Sequence, residues 1–222
     1  MDEIKLIDIR KNILTDNKNQ AEVIRADLKK KHVFMVNVMA SPGAGKTSMI
    51  IQTLHKLKTD LRLAVIEGDV ESTVDSEKII KEGVPAVQIE TGGACHLDAP
   101  MITAGLENLI LETLDLVFIE NIGNLICPAE FDTGSDLQVM ILSVPEGDDK
   151  VLKYPLMFSV CDVLLVNKID YLQLTDFDLE LLRRRVHELN PRMKIFEISC
   201  RTGEGLEAWS QWLKGMVQEK VY

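Results

Sequence analysis

The stretch Val33–Thr47, VFMVNVMASPGAGKT, decides the fold because it joins an apolar run to a glycine-rich loop. The apolar side chains of Val33–Met39 predict a buried central strand. Glycines in the loop permit unusual φ values and close approach, so consecutive backbone N–H groups can converge on phosphate oxygens. The loop consists of Ser41, Pro42, Gly43, Ala44 and Gly45. With a helix predicted over Ser48–Lys58, this order predicts a binding site for a nucleoside triphosphate.

The residues around the loop match the pattern G-x-x-x-x-G-K-[ST] with one departure. Lys46 is predicted to contact the β- and γ-phosphates, and the Thr47 hydroxyl to bind Mg²⁺. Ser48 opens the helix, whose N-terminal dipole favours anions. Ala40 stands where the pattern has its first glycine, and its side chain is small enough for the turn. A glycine-rich helix cap with an incidental lysine is the competing interpretation, which the flanking strand and helix disfavour.

Composition limits the classes of protein that the chain can represent. The 222 residues, 46% of them hydrophobic, suffice for one substantial core. We expect an N-terminal extension and helix over residues 1–31, packed on a phosphate-loop domain over residues 32–222. The 35 acidic and 25 basic residues give a net charge of −10, which argues against nucleic-acid and membrane partners. Without a long apolar run or a signal-peptide pattern, a cytoplasmic location is expected.

Strand-like apolar runs alternate with helix-like stretches. This alternation predicts an α/β fold with three layers, in which helices cover both faces of a doubly wound, mostly parallel sheet. The later predicted strands are Leu61–Glu67, Ala86–Glu90, Leu116–Glu120, Leu137–Val144, Val163–Asn167 and Lys194–Ser199. The later predicted helices are Ser72–Glu82, Pro100–Glu112, Asp176–Glu188 and Glu204–Glu219. Thr175 or Asp176 is expected to cap the third of these, and Asn190-Pro191 to end it.

The first 31 residues carry apolar side chains at spaced positions. These predict an extended start followed by a helix laid against the sheet. The positions are Ile4, Ile7, Ile13, Ala21, Ile24 and Leu28. Disorder of about the first dozen residues is the competing interpretation.

The sequence Asn167-Lys168-Ile169-Asp170 directly follows a buried run, at a strand end where open α/β sheets bind ligands. It matches the guanine-binding pattern N-K-x-D. Asp170, as an acceptor-only carboxylate, can take the N1–H and N2–H₂ groups of guanine, whereas adenine has no donor pair at that edge. Lys168 is expected to lie along the base and Asn167 to brace the loop. The position of this tetrapeptide, 121 residues after Lys46, makes GTP the predicted nucleotide.

Ser199-Cys200-Arg201 follows the last predicted strand, in the place of the S-A-K loop of guanine-binding proteins. A backbone N–H of that loop receives guanine O6, so side-chain exchanges at Cys200 and Arg201 are tolerable. We interpret Cys200 as a small packing residue rather than a metal ligand.

Two further strand ends bear carboxylates. Asp69, Asp75 and Glu120 are predicted to supply oxygen ligands to Mg²⁺, directly or through water, and to serve the hydrolytic reaction with Lys46. Each carboxylate could instead cap a helix. Gly123 is placed to sense the γ-phosphate. Because the glutamine that orients water in small GTPases is not visible after Glu120, slow unaided turnover is expected.

A second cluster of reactive side chains is predicted at the same carboxyl-end edge of the sheet. Cys95-His96 follows the strand Ala86–Glu90, and Cys127 lies seven residues beyond Glu120. Two thiolates and an imidazole suit Zn²⁺ or Ni²⁺ and leave an open coordination position. A Cys95–Cys127 redox pair and plain packing remain alternatives. Cys161, in an apolar run, is expected in the core.

Four motifs together resemble the HypB family of nickel-incorporation GTPases in NiFe-hydrogenase maturation. They are ASPGAGKTS, GACHLDAP (Gly93–Pro100), IENIGNLICPAE (Ile119–Glu130) and LKYPLMF (Leu152–Phe158), and the match spans roughly residues 33–210. The resemblance implies a dimerising GTPase of the SIMIBI class, which includes signal-recognition and MinD-like proteins. It also implies metal bound at the subunit interface by Cys95, His96 and Cys127. The N-terminal cysteine-rich or histidine-rich nickel segment of many bacterial relatives is not in this sequence.

These features predict a GTP-hydrolysing metallochaperone. Its expected cofactors are GTP or GDP, Mg²⁺, and Ni²⁺ or Zn²⁺. Its expected partners are a second copy of the chain, a nickel-handling accessory protein and a hydrogenase large-subunit precursor. A metal-independent dimerising switch or scaffold is the alternative; a small-molecule kinase is disfavoured because N-K-x-D specifies guanine.

Overall fold

The computed structural model describes the backbone of residues 9–69 and 74–221, and the side chains of residues 13–68 and 78–220. Its strands are β1 Phe34–Ala40, β2 Leu63–Asp69, β3 Ala86–Glu90, β4 Leu116–Glu120, β5 Leu137–Ser143, β6 Val163–Asn167 and β7 Lys194–Glu197. Its α-helices are α1 Ile9–Lys31, α2 Lys46–Leu57, α3 Val74–Lys81, α4 Ala99–Leu106, α5 Cys127–Glu130, α6 Lys150–Lys153, α7 Pro155–Val160, α8 Leu179–Leu189 and α9 Leu206–Val221.

All seven strands pair in parallel in the order β3-β2-β4-β1-β5-β6-β7. Because the strands are parallel, all their carboxyl ends meet at one edge of the sheet. The chain order reverses on either side of β1, which therefore lies at the switch point where open α/β sheets bind ligands. The predicted α/β fold with a doubly wound parallel sheet is confirmed.

Helices cover both faces of the sheet because strand side chains alternate between the two. Val36 and Val38 of β1 pack in a buried cluster with residues of α2, α3 and α9. On the opposite face, Met35 joins a cluster with α1 and α4, and Met39 joins another with α6–α8. The apolar strands are thus buried on both sides, as expected for a parallel sheet.

The α1 helix lies against this opposite face through Ala21, Ile24 and Leu28, as its apolar spacing predicted. Ile13, another predicted apolar position, is half exposed. Ile4, Ile7 and the predicted extended start lie outside the described residues, as does most of the segment for which disorder was the alternative. The division of the chain at residue 31 stays a prediction.

Three of the strand predictions are exact, and the others differ from the structure by one or two residues at one or both ends; β1, for example, is shifted by one residue, and β5 and β7 end one and two residues early. The predicted limits of β3, β4 and β6 are exact. The β2 prediction was wrong by two residues at each end. Leu61 instead closes the turn after α2, donating its N–H to the Leu57 carbonyl, and pairing with β3 extends β2 through Gly68 to Asp69.

Helix limits were less accurate. The helix predicted over Pro100–Glu112 ends at Leu106, because the Asn108 and Leu109 N–H groups bond three residues back rather than four. A separate 3-10 turn covers Leu111–Thr113. The start of the helix predicted over Ser72–Glu82 lies outside the described residues, which begin again at Val74.

The cap predicted for α8 was wrong. A 3-10 helix occupies Ile169–Leu174 directly after the guanine motif and delays the start of α8. Asp178, not Thr175 or Asp176, accepts the Leu181 N–H at 2.8 Å and caps the helix. Asn190 ends it as predicted.

The last helix starts at Leu206, two residues later than predicted. Gly205 has φ +71°, and a Cβ there would collide with the Glu197 carbonyl oxygen, so the chain turns tightly before the helix begins. Among the described residues, no helix combines the length and hydropathy that crossing a membrane requires.

Candidate functional site

The phosphate-binding loop leaves the carboxyl end of β1 and enters α2, as predicted. Gly43 (φ +75°) and Gly45 (φ +105°) adopt backbone conformations that favour glycine, and α2 begins at Lys46. Ala40 remains within β1, fully buried and without a positive φ, so a glycine is not needed there. The loop therefore keeps its turn despite the departure from the consensus pattern.

A second loop approaches the phosphate loop from the end of β4. The Thr47 hydroxyl donates to Glu120 Oε1 at 2.8 Å. A Cβ on Gly123 would lie 2.9–3.1 Å from Pro42 atoms, two of them backbone atoms, so only glycine fits this approach. These contacts place the predicted Mg²⁺ ligands Thr47 and Glu120, and the predicted phosphate sensor, beside the loop.

The other two predicted magnesium ligands belong to neighbouring elements. The backbone of Asp69 ends β2, next to β4 in the sheet, and Asp75 belongs to the first turn of α3. The side chains of both residues lie outside the described part of the chain, so their predicted role in binding Mg²⁺ stays a prediction.

The predicted guanine motif is bound to the phosphate loop by side-chain hydrogen bonds. Asn167, which is buried, donates to the Ala44 carbonyl at 2.9 Å and accepts the Lys168 and Cys200 N–H groups at 2.8 and 3.2 Å. Lys168 Nζ donates to the Gly43 carbonyl at 2.8 Å. Asn167 thus joins the phosphate loop, its own motif and the loop at Cys200, while the guanine-binding role predicted for this motif stays a prediction.

Asp170 lies where the guanine edge is expected. Its Oδ1 accepts the Ser199 hydroxyl at 2.6 Å, and Arg201 forms an ion pair with Oδ2 at 2.8 Å. The Ser199 hydrogen bond holds the pKa of the Asp170 carboxyl below its ordinary value, with Arg201 contributing further. The carboxylate is therefore ionised at neutral pH, as an acceptor for two donors must be.

A cavity of about 460 Å³ is lined by residues of both the guanine motif and the phosphate loop. Its lining includes Gly45, Ser48, Asp170, Tyr171, Cys200 and Arg201. Burial raises the pKa of the Cys200 thiol to about 11, which keeps it protonated at neutral pH and suits the packing role predicted for it. The residues predicted to bind guanine, the phosphate loop and the start of α2 therefore line one pocket.

The predicted metal ligands come together at the other end of the same sheet edge. One donor atom from each of Cys95, His96 and Cys127 lies within 4.8 Å of the other two, and the two Sγ atoms are 3.0 Å apart. Both cysteines are free thiols. Two sulfur donors and one nitrogen donor at this separation fit a soft or borderline divalent metal.

Burial differs among these donors. Cys95 is exposed, whereas the His96 ring stacks on Phe131 at 3.8 Å between centroids. Burial lowers the pKa of His96, and the hydrogen bond that the Cys95 thiol donates to Cys127 Sγ raises the pKa of the Cys127 thiol. Cys161 is buried in the core, as predicted. The cluster is therefore reached from solvent through Cys95, while His96 and Cys127 are half-buried behind it.

Two asparagines that were not identified from the sequence connect the loops of this cluster. Asn121 is fully buried, and its Oδ1 accepts the Leu97 N–H at 3.1 Å and the Ile122 N–H at 2.9 Å. Its Nδ2 donates to Asn37 of β1 at 3.1 Å. Asn124 donates to the Cys95 carbonyl at 3.2 Å. The only sequence signal for Asn121 is its position directly after a strand.

Comparison with known proteins agrees with this arrangement. The CobW/HypB/UreG nucleotide-binding domain matches residues 34–197. Hydrogenase maturation factor HypB of Rhizobium leguminosarum bv. viciae is 42% identical over 214 residues, covering 96% of this chain and 72% of that protein. The crystal structure of HypB from Helicobacter pylori in complex with nickel has a TM-score of 0.88 and 37% identity, covering 93% of this chain and 97% of the other.

A more distant likeness concerns the fold alone. The signal recognition particle receptor FtsY of Elizabethkingia anophelis in complex with GDP has a TM-score of 0.55 at 14% identity, covering 85% of this chain and 70% of the other. This likeness shows that the two chains share a fold. The chain belongs to the CobW/HypB/UreG family and, within it, to the HypB hydrogenase maturation factors, which are P-loop GTPases.

Proposed function

We propose that this GTPase binds Ni²⁺ and delivers it during NiFe-hydrogenase maturation. GTP would bring two copies together and close the loops around Glu120 and Cys127. Hydrolysis would relax these loops, so that Ni²⁺ passes through a nickel-handling accessory protein to a hydrogenase large-subunit precursor. Its relatives support this proposal, since they are hydrogenase maturation factors and one was crystallised with nickel.

The observation that carries the proposal is the buried Asn121 side chain. It follows Glu120 directly and accepts the N–H of Leu97, the residue after His96. The same oxygen accepts the Ile122 N–H at the start of the loop that leads to Gly123 and Cys127. A displacement of the loop at the end of β4 would therefore be transmitted to the metal ligands through one fixed group.

Nucleotide binding is assigned to the residues around the phosphate loop. Lys46 and the loop N–H groups would bind the phosphates, and Asn167, Lys168 and Asp170 the base. Thr47 and Glu120 would hold Mg²⁺, which supplies charge neutralisation on the phosphates when bound. In the described part of the chain, the loop from Glu120 to Cys127 has no glutamine to orient water, so slow unaided turnover remains the expectation.

The metal site is assigned to Cys95, His96 and Cys127. A Cys₂His set suits Ni²⁺ and Zn²⁺ alike, and three protein donors leave a position for water or for a ligand from the second copy. The exposure of Cys95 supports this assignment, since a metal that is to be passed on must be reachable from solvent or from a partner.

A titration of Ni²⁺ into the protein with GDP or with a non-hydrolysable GTP analogue, followed by light scattering, tests the proposal. Coupling requires that the metal bind the two nucleotide states with different affinity. We expect tighter Ni²⁺ binding and a dimer with the analogue. Equal affinity in both states would reject the coupling. If the untagged protein contained no Ni²⁺ or Zn²⁺ after purification and could bind neither ion, a metal-independent switch would instead be favoured.

A further inference from the structure

We infer that the Arg201 side chain is an internal competitor of guanine for Asp170, which the base must displace on entering its pocket. The inference rests on the proposed guanine site and concerns a residue for which only a backbone role was predicted.

The two oxygens of the Asp170 carboxylate differ in their surroundings. Oδ1 accepts the short Ser199 hydrogen bond. Oδ2 is buried and, among the described residues, has no hydrogen-bond donor in suitable geometry. The Arg201 guanidinium nevertheless lies 2.8 Å from Oδ2. Arg201 therefore covers this oxygen by charge attraction without a well-aligned hydrogen bond, which leaves the acceptor unsatisfied.

The position of Arg201 is defined by a second contact. Its guanidinium carbon lies 5.4 Å from the centre of the Tyr171 ring, within the range of a cation–π interaction. The side chain of Arg201 is 69% exposed, whereas that of Asp170 is 8% exposed. Arg201 can therefore swing into solvent at small cost, while the carboxylate beneath it cannot move.

Guanine offers donors that Arg201 does not provide in good alignment. The N1–H and N2–H₂ groups together need both carboxylate oxygens, and Oδ2 becomes accessible only when Arg201 leaves it. The exchange replaces an ion pair without a well-aligned hydrogen bond by two directed hydrogen bonds. Since solvent screens the exposed Arg201 side of this pair, Arg201 should weaken guanine-nucleotide binding by only about two- to tenfold, and should speed release by returning to Asp170.

The test compares the parent protein with Arg201→Gln and Arg201→Lys. Arg184→Gln, at an exposed position on α8, controls for the loss of one positive charge. The affinity and the association and dissociation rates of fluorescent GDP would be measured at low and high salt. We expect Arg201→Gln to bind about two- to tenfold more tightly at low salt and to release GDP more slowly. The difference should shrink as salt screens the ion pair, and Arg201→Lys should lie between the two.

A double-mutant cycle isolates the pair. In an Asp170→Asn background, Arg201→Gln should leave the affinity for xanthosine diphosphate unchanged, because no carboxylate remains for the arginine to cover. If the parent prefers GDP over ADP but Arg201→Gln binds GDP no more tightly than the parent at any salt concentration, the role of Arg201 is overturned and the guanine pocket is not. A parent that binds GDP and ADP equally would overturn the guanine pocket and this inference with it.

Discussion

The two ends of the sheet edge are built differently. The guanine end comprises residues 167–170 and 199–201, and the metal end comprises Cys95, His96 and Cys127. At the guanine end, Asn167 and Lys168 bond directly to phosphate-loop carbonyls, and Asp170 is held by Ser199. At the metal end, the ligands belong to two loops that Asn121 and Asn124 join to each other, and Cys95 is exposed. This contrast favours our proposals that the guanine motif is held in place before the base enters, with Arg201 as the group to be displaced, and that the metal ligands belong to loops that respond to the nucleotide.

The substitution Asp170→Asn, at the guanine end, should have the largest effect on nucleotide binding. An amide donates where the carboxylate accepts, so the variant should lose guanine affinity and prefer xanthine nucleotides. Sites that satisfy buried hydrogen bonds discriminate by about 10⁴-fold, which sets the scale of the change. Competition of GDP and xanthosine diphosphate for the variant measures it. Unchanged GTP use, or a parallel loss of Ni²⁺ binding, would contradict the separation of the two ends.

Cys95→Ala and Cys127→Ala test the metal end in the same way. Each variant removes one of two sulfur donors and should abolish stoichiometric Ni²⁺ and Zn²⁺ binding while leaving GDP affinity unchanged. Cys161→Ala is the matched control, because that thiol is buried in the core and its pKa is raised far above the ordinary value. Metal content by mass spectrometry and a Ni²⁺ competition titration give the result. Tight metal binding retained in both ligand variants would reject the ligand set.

The two ends also differ in what could be predicted from the sequence. The guanine end could be predicted because Asn167, Lys168 and Asp170 form one short motif after a buried strand. Strands β4 and β6 were placed exactly because each apolar run starts directly after an aspartate and ends in a polar residue. The Asn121 connection could not be predicted, since its bonds reach Leu97 and Asn37 across 24 and 84 residues. The α8 cap was misplaced for a local reason, the 3-10 helix after the guanine motif.

Asn121→Ala tests whether this buried connection sets the metal geometry. The change leaves the Leu97 and Ile122 N–H groups without their acceptor, at a cost of about 1–3 kcal/mol for a buried donor, so the free energy of unfolding should fall. Ni²⁺ affinity should decrease by about 10- to 100-fold, as for other groups that orient metal ligands. GDP affinity should stay close to that of the parent, because the guanine end has its own supports.

Asn124→Ala is the comparison variant for this measurement. Its bond to the Cys95 carbonyl is exposed, so a smaller loss of Ni²⁺ affinity is expected. If Asn121→Ala, folded by circular dichroism, kept both the parent's Ni²⁺ affinity and its response to the GTP analogue, the metal end would not depend on this residue.

Ser199→Ala should have the smallest effect on nucleotide binding, and it tests the guanine end through the pH dependence of GDP affinity. The Ser199 hydrogen bond is the main cause of the lowered pKa of Asp170, so its loss should raise that pKa. Guanine binding needs the ionised carboxylate and is lost as the pH falls through the pKa of Asp170. The loss should therefore begin at a higher pH in Ser199→Ala than in the parent, with equal affinities near neutral pH apart from a small offset. GDP titrations from about pH 6 down to about pH 3, which spans the ordinary pKa of an aspartate, with folding followed by circular dichroism, measure the shift. An identical acid limb in both proteins would mean that Ser199 does not tune the carboxylate, and that the guanine end owes its order to Asn167 and Lys168 alone.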